Sequence, residues 1–425
     1  MRKIILVLAI VIPVFCLLGV VIYNLPPVYE RLAWRVEAIE AEIRYGLNPP
    51  EQVVFVPGGA TTVPNSPTAV RPSATPTIVL VTAQPTTTPT PTPTETLTPT
   101  PLPAQARLEG IRHEYQTWNN CGPANLAMAL SFWEWQGRQR DIAPFLKPNQ
   151  RDKNVMPYEM ETYVDDQTDL SAVVRVGGEM QLLKAFVASG IPVLVEKGFE
   201  GINFDGWMGH YQVVSGFDDV QGVFIVQDSY KGPDLEVKYQ DFEEQWRAFN
   251  YTYIVIYPAD RREQVLQILG FQAFDNYNNR FAEQKARSET TALGGRALFF
   301  AWYNLGTNLV TLQDYAAAAT AYDAAFAHYP DIPEAERPWR ILWYQTGPYF
   351  AYYYTGRYQD VVDLATTTLD TMSEPVLEES YYWRARARLA LGDRQGAIDD
   401  LRLSLEAHPD FGPAIEQLTL LGEQP

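Results

Sequence analysis

Apolar and polar residues alternate at helical or strand spacing over most of the chain, and two N-terminal stretches depart from that pattern. Behind Arg2 and Lys3, the run from Ile4 to Tyr23 carries no charge. At about 1.5 Å of rise per residue it is long enough for a hydrocarbon core of roughly 30 Å, which predicts a transmembrane helix within residues 1–25. A cleaved secretory signal has a shorter apolar region ending in small residues, whereas Ile22-Tyr23-Asn24-Leu25-Pro26 follows here, so an uncleaved anchor is the favoured reading. Arg2 and Lys3 stay inside by the positive-inside rule, which puts the remainder outside the cytoplasm. In the juxtamembrane spacer, residues 26–57, Leu32, Val36, Ile39 and Ile43 predict a helix over Glu30–Arg44 too short for a coiled coil of its own. Residues 58–105 turn to threonine and proline, cannot bury a core, and read as a disordered, extended linker. At about 3.1 Å per residue in a polyproline-like conformation, such a stalk would hold a domain on the order of 100 Å from the bilayer.

From Ala106 the pattern becomes globular. Leu126, Leu130 and Trp133 share one face of a helix over Asn125–Trp135, and Tyr158–Val164 and Glu179–Ala188 predict two more. Short apolar runs predict strands at Ala172–Val176, Pro192–Glu196, Tyr211–Phe217, Gly222–Gln227 and Tyr253–Tyr257. A helix first and antiparallel strands after is an α+β order for residues 106–259. Past Pro258 strand signals stop, and residues 260–425 read as helix throughout.

The chain has 425 residues, which exceeds what one core usually organises, so two or three units are expected. A formal net charge of -18 argues against a nucleic-acid partner, because phosphate binding needs a basic surface. No cofactor fingerprint or metal-ligand spacing occurs, so neither cofactor nor metal is expected. The two cysteines, Cys16 in the apolar run and Cys121 far beyond it, cannot form a useful bridge.

Cys121 lies in Q-T-W-N-N-C-G-P-A, just ahead of a strong helix pattern. A thiol at a helix start faces the positive end of the dipole and unpaired N–H groups, both of which favour thiolate. A cysteine nucleophile also needs an imidazole, a group that orients it, and an oxyanion donor. Of four histidines, His328 and His408 fall in A-H segments shortly before a proline in the helical region, and His113 is close to Cys121 in sequence and reads as structural. His210 begins the strand Y-Q-V-V-S-G-F, and V-F-I-V-Q returns to Asp228. Folding that hairpin about residue 219 sets His210 opposite Asp228, where facing Cβ atoms are about 4.5–5.5 Å apart. Gln116, five residues before Cys121, can join the Cys121 N–H in holding an oxyanion. Gly206 and Gly209 flank Trp207 and would let a substrate backbone pass close to His210.

Taken together, Gln116, N-N-C-G-P-A at 119–124, G-H-Y-Q-V-V-S-G-F-D at 209–218 and V-Q-D-S at 226–229 resemble the peptidase C39 family and its C39-like relatives among papain-like cysteine peptidases. The resemblance spans residues 108–258. It implies Cys121 as nucleophile, His210 as general base and acid, Asp228 as orienting carboxylate and Gln116 as oxyanion donor. Family members often carry proline after the aspartate, where this chain has Ser229. Nothing here can form the transporter that follows C39 domains of the bacteriocin-processing kind, so cleavage of double-glycine leaders does not carry over.

In the helical third, W-Y-N-L-G-T-N-L at 302–309 followed by Ala318, Tyr322, Ala325 and Pro330 resembles the spacing of an approximately 34-residue tetratricopeptide repeat (TPR). Tyr381, Ala385, Ala397, Leu401, Ser404 and Pro409 repeat those offsets. A weaker unit spans Tyr349–Thr368, where Pro348 breaks the pattern, Arg261–Arg287 reads as capping helices, and Ala414–Leu421 closes the stack. The expected whole is a membrane-anchored, extracytoplasmic, papain-like α+β cysteine peptidase acting on a peptide or protein, with an all-α TPR solenoid that recruits substrate or a partner. The alternative is a scaffold that binds peptides on a peptidase-like fold without cutting them.

Overall fold

A computed structural model describes residues 101–149, 151–152, 154–200, 206–372 and 375–425, with isolated positions 19, 22, 23, 25, 28, 55 and 57. The expected anchor, the juxtamembrane helix and nearly all of the Thr/Pro-rich linker lie outside the described residues. Among the described residues no helix is long and apolar enough to cross a membrane.

The first globular part is an antiparallel sheet with helices on both faces. Its strands are β1 (Gln105–Arg107), β2 (Leu170–Arg175), β3 (Val193–Glu200), β4 (Trp207–Asp218), β5 (Val223–Asp228), β6 (Gly232–Lys238) and β7 (Tyr253–Pro258). They run in the order β2-β7-β3-β4-β5-β6, with β1 paired to β4. Helices α1 (Cys121–Ser131), α2 (Gln139–Leu146) and α3 (Pro157–Gln167) cover one face, and α4 (Met180–Ala188) and α5 (Tyr239–Arg247) the other. Alternation along β3 assigns the faces: Leu194 joins Leu126, Leu130 and Met160 under α1 and α3, while Val193 and Val195 join Leu183, Phe242 and Trp246 under α4 and α5.

Several elements escape the sequence reading for physical reasons. Strand β6 (G-P-D-L-E-V-K) is an edge strand and mostly exposed, so no apolar run marks it. Helix α5 buries only Phe242 and Trp246, four residues apart, and α2 holds Pro144 in its interior. Helix α1 begins at Cys121, the expected helix start, and stops at Ser131 rather than Trp135; beyond it Glu134 takes the left-handed φ of 66°.

Beyond β7 the described chain is helical: α6 (Arg262–Leu269), α7 (Asp275–Ala292), α8 (Gly295–Thr311), α9 (Tyr315–His328), α10 (Ile341–Tyr344), α11 (Gly347–Tyr354), α12 (Tyr358–Asp370), α13 (Glu378–Ala390), α14 (Arg394–Ala407) and α15 (Gly412–Leu420). Pro348 sits in the first turn of α11, where its missing N–H costs no hydrogen bond. The segment expected to cap the stack packs on it through Ala286 of α7 and also joins the two parts. Val265 and Leu269 of α6 enter the sheet's core, past the boundary expected at residue 260. From α7, Lys285 donates to the Gly178 carbonyl at 2.6 Å and the Asn278 amide to that of Val176 at 2.7 Å.

Polar contacts continue the seam. Asn250 and Asn308 exchange amide hydrogen bonds at 2.7 and 3.1 Å. Asn304 donates to the Arg247 carbonyl at 2.7 Å, Gln345 to that of Ala248 at 2.7 Å, and Arg340 to that of Trp207 at 3.0 Å. Trp207 is buried in this seam, stacked on Phe249 at 5.7 Å and set against Phe300 and Tyr344. Gly209 serves the same contact: a Cβ there would come within 2.7 Å of Phe249 and 3.0 Å of Tyr344. Its lack of a side chain admits the helical part, not a passing substrate.

Candidate active site

Cys121 occupies the first turn of α1. Asn119 takes a left-handed φ of 51°, which asparagine tolerates better than most residues, and turns the chain into the helix. The first helical hydrogen bond runs from Ala124 N–H to the Asn120 carbonyl at 3.0 Å. Cys121 is therefore the first residue inside, where N–H groups have no intrahelical acceptor. Pro123, also in that turn, has no N–H to satisfy, and Gly122 fits where a Cβ would lie 2.9 Å from Met160 and 3.1 Å from Val155. Two buried side chains pin the approach. Gln139 accepts from Thr117 N–H at 2.9 Å and the Asn120 amide at 2.7 Å, and Lys147 donates to the Asn119 carbonyl at 2.6 Å.

The hairpin β4–β5 brings the imidazole and a carboxylate to this turn in a register different from the one expected. Val213 faces Gln227 and Val214 faces Val226, with an irregularity between Val214 and Gly216. Continued, that register sets Gln212 opposite Asp228, not His210. The slip is two residues, so His210 stays on the same face and reaches Asp228 diagonally. His210 Nε2 lies 3.0 Å from Asp228 Oδ1, which also accepts the N–H groups of Tyr230 and Lys231 at 2.8 and 2.9 Å. The Gln212 amide donates to Oδ2. With Nε2 engaged by Asp228, Nδ1 is the nitrogen left for Cys121, the neighbour whose titration is tied to that of His210.

The electrostatics follow from these contacts. Burial alone would raise the Cys121 thiol, but the hydrogen bond and charge of His210, then Lys147 and the Tyr211 N–H, bring it below its ordinary value. Burial would likewise lower His210, and the Asp228 carboxylate together with the thiolate lifts it to about 9. Asp228, though buried, is held well below the carboxylate range by His210, the Lys231 N–H and Gln212. Glu196 is raised well above its ordinary value, by burial first and by the charge of Cys121 as well. Phe199 and Tyr230 pack on the imidazole at 4.8 and 6.5 Å between ring centres, while Cys121 itself is only half-buried.

Gln116 reaches the site through residues that the sequence reading did not single out. Its N–H donates to the Ser229 carbonyl at 2.9 Å. The Ser229 hydroxyl accepts from Asn125 at 2.7 Å and donates to Gln116 Oε1 at 2.8 Å, and Asn125 also donates to the Cys121 carbonyl at 2.9 Å. With the Ser229 proton given to Gln116 Oε1, that oxygen faces Ser229 and Nε2 is left for other acceptors. Ser229 thus ties the turn after β5 to Gln116 through both its carbonyl and its hydroxyl. His113 stands apart: its burial lowers its pKa, it packs on Tyr115 at 4.7 Å, and neither ring nitrogen has a partner among the described residues. His408 pairs with Glu378 at 3.4 Å and His328 lies 3.9 Å from Asp331, both in the helical part. Among the described residues no group of histidine, cysteine, aspartate and glutamate could hold a metal ion.

Residues 102–254 match the model of the Peptidase_C39 like family. A crystal structure of a candidate C39-like peptidase from Bacillus anthracis is similar to 36% of this chain and 96% of its own, at 17% identity and a TM-score of 0.30. No curated protein matches the chain.

Proposed function

We propose that the chain is a cysteine peptidase of the C39-like type that hydrolyses peptide bonds through Cys121, His210 and Asp228. The observation that carries this reading is one continuous arrangement: a half-buried cysteine in the first turn of a helix, beside an imidazole whose Nε2 lies 3.0 Å from a buried carboxylate. In it the thiolate attacks the scissile carbonyl, the carbonyl oxygen becomes an anion facing the Cys121 N–H and Gln116 Nε2, and the C–N bond breaks as imidazolium protonates the leaving amine. Neutral imidazole then takes a proton from water, the hydroxide cleaves the thioester, and the thiol is regenerated with a new carboxylate. The expected membrane anchor places this chemistry outside the cytoplasm, and the helical part, read as TPR-like, recruits or orients a peptide or protein. Incubation of the purified chain with a diverse peptide mixture, read by mass spectrometry against Cys121→Ala, tests it. Cys121-dependent products are expected; their absence, with no labelling by a thiol-reactive peptide probe, leaves the non-cutting peptide binder as the better reading.

A further inference from the structure

Phe55 belongs to the N-terminal region ahead of the Thr/Pro run, yet it is 9% exposed and part of the helical core. Its ring meets Phe326 of α9 edge-on at 5.3 Å and Tyr352 of α11 at 6.2 Å, and Pro57 is half-buried two residues on. The receiving surface is fixed by its own contacts. Tyr352 donates to Asp323 at 2.9 Å, and Arg357 lies 4.1 Å over the Tyr352 ring while pairing with Asp323 at 2.7 Å and Asp360 at 2.6 Å. Phe326 is braced by Tyr303 at 6.3 Å. Two aromatic rings held in place and left open to a third define a preformed slot for an aromatic side chain.

We propose that the junction of α9 and α11 is a docking site for an aromatic-bearing apolar segment, filled in this chain by its own residues Phe55 and Pro57. The consequence concerns the linker. Its far end is tied to the same body, because Gln105 of β1 pairs with Asp218 of β4. The Thr/Pro run thus starts and finishes on the globular part and does not set its distance from a membrane; the stretch before Phe55 does. A partner using this junction competes with Phe55 and carries an aromatic side chain of its own. The proposal does not depend on peptidase activity.

The test uses the full chain in detergent micelles, with a site for a sequence-specific protease inserted between Thr86 and Pro101 and an affinity tag after Pro425. After complete cutting, the N-terminal piece is expected to stay with the tagged piece through washing. In Phe55→Ala it is released, its affinity roughly 30-fold weaker from the lost ring burial, while Phe55→Leu weakens it less. Release from the unmutated chain, or equal retention by Phe55→Ala, overturns the proposal. Co-purification of uncut untagged chains with uncut tagged ones, lost in Phe55→Ala, also overturns it, since the segment would then be serving a second copy. Matching thermal melts for the Phe55 variants assign any release to the contact and not to unfolding.

Discussion

Ser229→Ala isolates the part of the site that acts only through another residue. The Ser229 hydroxyl accepts from Asn125 at 2.7 Å and donates to Gln116 Oε1 at 2.8 Å, so its removal leaves Cys121, His210 and Asp228 in place and releases two amides, those of Gln116 and Asn125. A net hydrogen bond is worth about 1 kcal/mol, and an unmet buried donor on Asn125 costs about 1–3 kcal/mol. Loss of the orienting bond is thus expected to lower kcat/KM about 5- to 30-fold, with stability falling by a few degrees in Tm. Truncating the donor itself, Gln116→Ala, is expected to cost about 10²- to 10³-fold, the range for one oxyanion-hole donor. The assay is a cycle of both single variants and the double variant on a peptide found by the mixture screen, with iodoacetamide alkylation of Cys121 measured beside it. Alkylation needs no oxyanion hole and should be unchanged in Ser229→Ala. The double variant should be no slower than Gln116→Ala alone. Multiplying losses, or slowed alkylation, would refute the idea that Ser229 works by aiming Gln116.

The thiolate is lost as pH falls through the lowered Cys121 value and the imidazolium is lost as pH rises through about 9, so kcat/KM should be bell-shaped with its alkaline limb near 9. Asp228→Asn removes the charge that lifts His210; the alkaline limb should move below 9 and activity fall roughly 10²-fold or more, read from the same pH series. Lys147→Met takes a positive charge from the thiolate's surroundings, and the acid limb of Cys121 alkylation should shift upward. Gly209→Ala drives a Cβ against Phe249 and Tyr344; overpacking of about 1–3 kcal/mol should lower Tm and impair His210, and an unchanged melt would show that the seam yields.

The sequence made the chemistry-bearing residues legible more readily than their supports. Cys121, His210 and Asp228 are rare residue types whose positions on a predicted helix start and hairpin limit what they can meet. A two-residue register slip left the His210–Asp228 contact intact because strand faces repeat every two residues, and a slip of one would have destroyed it. Asn125, Gln139, Lys147 and Ser229 were invisible for the opposite reason. They are ordinary polar residues, and their roles arise from tertiary partners between 4 and 113 positions away. Helix α5 and strand β6 show the same limit in secondary structure, where two buried rings or an exposed edge strand leave too little apolar periodicity to read.

The two globular parts are mechanically one at the site. Strand β4 carries His210, and its opening residues Trp207 and Gly209 are gripped by Phe300, Arg340 and Tyr344 of the helical part. Helix α5, packed on the sheet beside β3, ends at Arg247, whose carbonyl receives Asn304, and the next residue's carbonyl receives Gln345. On the other flank, Asn149, between the helices that support Cys121, donates to the Glu406 carbonyl of α14 at 3.3 Å. The helical part thus touches both the side of the fold that carries the thiol and the side that carries the imidazole. A shift between the two sides moves His210 relative to Cys121, and the depressed thiol and part of the rise in the imidazole both depend on their nearness.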